Sequence, residues 1–129
     1  YPGVYALAYT TKNLSGRKVR QKDIYYIGMS NSQAGVKGRL SQFKQAINVG
    51  EGHSAGNRFF KDELDGKRFD SCKRQEKFWV ATLTFPCNVT KGERSPENLR
   101  VMGKVDCLEY YMMAYFLKRM KAEPELNKK

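Results

Sequence analysis

The sequence predicts an α/β domain, with a small three-stranded, mostly antiparallel sheet flanked by helices. Three observations lead there. Residues 3–10, 23–29 and 76–85 are runs rich in β-branched and aromatic residues, the last closed by Pro86. Apolar residues recur at helical spacing between the second and third runs, and again near the end. The order β-β-α-α-β-α then calls for one sheet with helices packed against it. A length of 129 residues suffices for one domain, 1–129, with one core.

Each element has its own warrant. Between the first two strands, Asn13-Leu14-Ser15-Gly16 supplies turn chemistry within a basic connection running from Lys12 to Lys22. Ser30 to Gly35 is a polar loop and a helix start. Val36, Leu40, Phe43 and Ile47 then mark one amphipathic helix over 36–49, ended by Gly50 to Gly52. A second helix is expected from about Ser54 to Leu64, with Phe59, Phe60 and Leu64 inward and Gly66 as its stop. Residues 87–103, with Gly92, Pro96 and Gly103, read as a long excursion with room for a short helix. Val105 to Met120 is the strongest helix, dense in Leu, Met, Tyr and Phe, and Glu123-Pro124 breaks it.

Charge narrows the function. Lys plus Arg number 24 against 13 Asp plus Glu, a net +11. So one-sided and dispersed an excess fits a folded face for polyanions, DNA first and RNA second. The ordinary alternative is a solubilising surface. Cys72, Cys87 and Cys107 form no CxxC pair, which argues against a zinc site and a disulfide framework. No run is long enough to span a membrane and no signal-type segment opens the chain, so no membrane partner and an intracellular location are expected.

The residues able to carry chemistry fall in a fixed order. Gly3-Val4-Tyr5 and Tyr26-Ile27-Gly28 lie in the first two strands, Arg39 in Gly38-Arg39-Leu40, Glu109 in the last helix and Asn127 in Pro124-Glu125-Leu126-Asn127. In this the chain resembles a GIY-YIG nuclease domain along essentially its full length, with valine for isoleucine in the first signature. The resemblance implies a divalent-metal-dependent endonuclease that hydrolyses DNA phosphodiesters by a one-metal mechanism, with Mg2+ or Mn2+ as cofactor. It gives Tyr5 the role of base or proton relay and Tyr26 a contact to phosphate or water. Arg39 would grip the phosphate, Glu109 would hold the metal, and Asn127 would support the site through backbone hydrogen bonds.

The residue chemistry agrees with those roles. Phosphodiester hydrolysis needs an activated water, neutralised phosphoryl charge and a stabilised leaving group. A phenol, at a pKa of about 10, needs a nearby cation to act as a base at neutral pH. A guanidinium matches a phosphate in fork geometry, and a carboxylate among Leu108, Tyr110 and Met112 is costly unless paired. The ordinary readings are core aromatics, a solvated arginine and a surface glutamate; Tyr9, Tyr25 and Tyr111 are assigned to the core. Lys37, Lys44 and Arg58 are expected beside Arg39 as nucleic-acid contacts. Where many family members carry a His or Tyr one turn after the arginine, this chain has Phe43, which cannot transfer a proton. The sole histidine, His53, is the candidate replacement, with a solvated side chain or helix cap as the alternative. Phe43 also motivates a second reading, a catalytically impaired nucleic-acid-binding module. A basic face for an acidic protein partner is a third.

Overall fold

The computed structural model describes residues 1–128. β1 (Gly3–Thr10) is the middle strand of a three-stranded sheet ordered β2-β1-β3, with β2 spanning Tyr26–Ser30 and β3 Lys77–Thr84. Both pairings are antiparallel, so the sheet is wholly so. β1 is buried from Gly3 to Ala8 because α-helices cover one face and a helix together with the connection over 14–20 covers the other. Its alternation sorts the chain: Tyr5, Leu7 and Tyr9 face one side, Val4, Ala6 and Ala8 the other.

On the Tyr5 side lie α1 (Gly35–Val49) and α2 (Ser54–Arg58). Val36, Phe43 and Ile47 of α1 join Tyr5, Leu7, Ala55, Phe59 and Leu64 in the main core. An aromatic cluster closes that core. Phe59 meets Tyr9 and Phe78 edge-on at 5.2 and 5.1 Å, while Phe78 lies 4.7 Å from Tyr9. α3 (Pro96–Met120) covers part of the opposite face.

The expected element order holds, and the boundaries differ for local reasons. The second strand begins at Tyr26 rather than 23, because Arg20 and Lys12 hold Asp23 in ion pairs at 3.2 and 3.5 Å and the chain makes a short 3-10 turn there. The second helix is α-helical only to Arg58 and widens into a π-type turn over Phe59–Glu63, where Leu64 N–H reaches Phe59 O at 3.2 Å. The largest difference is at α3. It starts at Pro96, inside the expected excursion, since Ser95 Oγ accepts the Asn98 N–H at 3.1 Å and Pro96 occupies the first helical turn. α3 is also less buried than its apolar composition suggests. Only Val105 and Phe116 are buried, and Tyr111, expected in the core, is 72% exposed.

Phe59 packs against Tyr9, Tyr25, Phe69 and Phe78 and is 1% exposed. Phe59→Ala is expected to cost about 3–5 kcal/mol of unfolding free energy, read from urea denaturation. A loss below about 1 kcal/mol would show that the aromatic cluster does not carry the core.

Candidate active site

The strand register places the two phenols. Tyr5 lies opposite Gly28 and Leu7 opposite Tyr26, so both phenols stand on the α1 side of the sheet. Their rings are 6.0 Å apart and tilted by 44°. Gly28 makes that possible. A Cβ there would sit 2.6 Å from Tyr5 Cζ and Oη and 2.7 Å from Tyr26 Cε1, far inside contact distance. A methyl group would displace one ring or the other.

His53 completes the pair from the far side. α1 ends at Gly50 with φ of 80°, a left-handed cap open to glycine, and the chain folds back so that His53 caps α2. The ring, 2% exposed, stands edge-on to Phe43 at 5.2 Å and to Tyr26 at 5.7 Å. Its Nδ1 accepts the Gly56 N–H at 3.3 Å, and Nε2 lies 3.1 Å from Tyr5 Oη. Burial, then the charges of Arg39 and Arg58, lowers its pKa to about 4, so the ring is neutral at pH 7. A neutral ring accepting at Nδ1 carries its proton on Nε2. Nε2–H therefore donates to Tyr5 Oη, and the Tyr5 O–H is free to donate elsewhere. His53 is at once the helix cap and the partner of Tyr5, and Phe43 supplies the wall against which it stands.

Arg39 acts on all three groups. It is half-buried on the flank of α1, and its Nη1 donates to Gln42 Oε1 at 2.9 Å. Burial raises Tyr5 well above the ordinary phenol range and Tyr26 raises it further, while the Arg39 charge pulls it down. Burial also raises Tyr26, again opposed by Arg39 and reinforced by Glu109. Both phenols are thus protonated at neutral pH, beside a guanidinium that none of the ion pairs among the described residues engages.

Glu109 approaches from α3, near enough for its charge to be felt at Tyr26. It is half-buried, and its pKa is raised by burial and then by Asp106. No ion pair among the described residues includes it. One turn earlier, Asn31 Nδ2 donates to Met102 O and Asp106 Oδ1 at 2.9 and 3.2 Å, leaving its buried Oδ1 without a partner. No group of three or more His, Cys, Asp or Glu is placed to cage an ion among the described residues. A lone half-buried carboxylate is a poor match for zinc, which takes several N or S ligands, and could contribute to holding only a cation that keeps most of its own water, such as Mg2+.

The expected supporting residues divide. Asn127 Oδ1 accepts the Ile27 N–H at 2.8 Å and Asn127 Nδ2 donates to Ile27 O at 2.9 Å, so one side chain satisfies both outward backbone groups of the residue between Tyr26 and Gly28. Arg58, expected at the nucleic-acid face, is half-buried and its Nη2 donates to Leu126 O at 2.6 Å. It anchors the segment bearing Asn127, and only its charge reaches Tyr26 and His53. Lys37 and Lys44, expected as nucleic-acid contacts, lie on the opposite flank of α1 from Arg39, roughly 140–160° around the helix by its 3.6-residue turn. They line a groove of about 410 Å³ with Leu40, Ser41, Thr82 and Thr84. Sequence reasoning missed Gly28 as a spacer, although its place within Tyr26-Ile27-Gly28 was the available signal.

Comparison with family models, curated proteins and solved structures returns no match, so the site rests on its own geometry.

The His53 pKa of about 4 lies below its unfolded value near 6.5, so below pH 6.5 the unfolded chain takes up a proton that the folded protein refuses. Stability is therefore expected to fall from pH 6.5 to 4, and His53→Asn, which can still cap α2, is expected to lack that component. Urea midpoints across this window check it. Equal falls in both proteins would refute the assignment.

Proposed function

We infer that the protein is a divalent-metal-dependent endonuclease acting on DNA. The observation that carries this reading is the convergence of Tyr5, Tyr26, His53 and Arg39 at one rim of the sheet, within electrostatic reach of Glu109 on α3, which is in no ion pair among the described residues. The resemblance to GIY-YIG nucleases in Gly3-Val4-Tyr5, Tyr26-Ile27-Gly28, Arg39, Glu109 and Asn127 supports it, as does the net charge of +11.

The chain's own groups divide the work. Arg39, held on one side by Gln42 and in no ion pair among the described residues, binds a phosphoryl oxygen and neutralises charge as it grows. Tyr26 orients the phosphate or the water by its hydroxyl. Tyr5 Oη is the acceptor for the water proton, because the His53 Nε2–H and the Arg39 charge both favour its anion. These two influences do not overcome burial, which keeps Tyr5 neutral, and an incoming phosphate opposes ionisation further. Glu109 would hold a divalent cation, whose charge would stabilise the phosphoryl and leaving oxygens and favour ionisation nearby. In the balanced reaction the water oxygen bonds to phosphorus and the P–O3′ bond breaks. Tyr5 first loses its own proton to solvent, the water proton then replaces it on Oη, and O3′ takes one proton back from solvent, leaving 5′-phosphate and 3′-hydroxyl ends.

Supercoiled plasmid incubated with Mg2+ or Mn2+ is expected to be nicked, and EDTA to abolish nicking. Glu109→Ala, Arg39→Ala and Tyr5→Phe should each lower the rate about a hundredfold to ten-thousandfold. Full activity in Glu109→Ala removes the metal role. Salt-sensitive DNA binding without nicking, at any metal tested, establishes instead the catalytically impaired binding module.

His53 acts here through Tyr5 as a positioning residue. His53→Asn retains the cap but is too short to reach Tyr5, so it is expected to fold while nicking at least tenfold more slowly, with its activity profile displaced toward higher pH. Parent activity and an unshifted profile in a folded His53→Asn protein would reduce the ring to a cap.

A further inference from the structure

α1 carries a pattern that the proposed chemistry does not use. Its solvent-facing ridge holds Gly38, Ser41, Gln42 and Gln45, all uncharged, with a hydroxyl and two amides. Cations border that ridge on both flanks, Arg39 on one side and Lys37 with Lys44 on the other. The helix has no Asp or Glu of its own, and the nearest downstream carboxylate, Glu51, lies past its C-terminal end. Lys37 and Lys44 are exposed and in no ion pair among the described residues. Their groove is lined by the hydroxyl-bearing Ser41, Thr82 and Thr84, side chains suited to phosphate oxygens.

A neutral, hydrogen-bonding ridge between two charged flanks matches the cross-section of a DNA groove, where base edges lie between two rows of phosphates. An α-helix with its side chains is about 10–12 Å across, and the B-DNA major groove is about 12 Å wide. We propose that α1 enters the major groove of duplex DNA, with Ser41 and Gln45 turned to base edges. Arg39 then meets the phosphates of the strand to be cut, and Lys37 and Lys44 meet those of the opposite strand. This placement rests on the reading of Arg39 as a phosphate-binding group. Glutamine pairs with adenine through two hydrogen bonds, so Gln45 is the position able to discriminate sequence. Gln42 is committed to Arg39 in the free protein and couples the ridge to the phosphate-binding flank. The major groove of duplex RNA is too deep and narrow to admit this helix, so duplex DNA is the ligand class.

The test uses fluorescence anisotropy of a labelled mixed-sequence DNA duplex, with EDTA present to prevent cutting. Lys37→Ala and Lys44→Ala are each expected to reduce the slope of log affinity against log salt by about 1, and to weaken binding about tenfold near 0.1 M salt. Methyl green, a major-groove ligand, should compete; distamycin, a minor-groove ligand, should not. An RNA duplex of the same sequence should bind at least tenfold more weakly. Unchanged salt slopes, competition by distamycin alone, or equal binding of RNA overturns the placement. Plasmid nicking by the parent protein is scored separately. Nicking with unchanged slopes overturns only the groove placement, and altered slopes without nicking overturn only the hydrolytic reading.

Discussion

The register between β1 and β2 is the constraint on which the site depends. Setting Tyr5 opposite Gly28 puts both phenols on one face and leaves a hydrogen atom where a side chain would block them. A slip of β2 by one residue would send Tyr26 to the α3 side, bring Ile27 into contact with α1 and leave Tyr5 alone on its face. Two features pin the register. The core requires Leu7 and Tyr9 on the same face as Tyr5, and Asn127 engages the N–H and C=O of Ile27 together, which only this alignment turns outward.

With the rings fixed, His53 sets the direction of the hydrogen bonds. An imidazole that must accept at one nitrogen to cap a helix can only donate at the other while it stays neutral. Burial and two arginines keep it neutral. A structural requirement of α2 thus determines which way the Tyr5 hydroxyl proton points. The charges around the phenols are arranged toward an anionic guest: two guanidiniums contribute, a neutral histidine donates, and the nearest carboxylate lies across the sheet on α3.

Much of this was legible in the residues. The element order followed from periodicity, and Tyr5, Tyr26, Arg39 and Asn127 could be singled out before any contact was known. The reach of Asn127 to backbone was an expectation of the resemblance to GIY-YIG nucleases rather than of its spacing in the chain. What was hidden depended on tertiary context. The start of α3 was obscured by Pro96 and Gly103, which punctuate loops as readily as they sit in a helix, and the Ser95 cap was the cue that outweighed them. Tyr111 shows that apolar composition does not report how many sides of a helix are covered. The separation of Lys37 and Lys44 from Arg39 was available from helical geometry alone, whereas the capture of Arg58 by Leu126 depended on a contact between residues 68 positions apart.

The clamp on Ile27 has a consequence for how the sheet can grow. Leu126 N–H bonds to Tyr25 O, and Asn127 occupies both outward groups of Ile27, so the β2 margin is sealed along the stretch beside the phenols. Among the described residues β3 has no strand beyond it, and Val80 and Leu83 stand exposed there. The sheet is directional: a strand added from outside, whether useful or aggregating, has only the β3 margin to join, and could do so without disturbing the rings on the other side of β1.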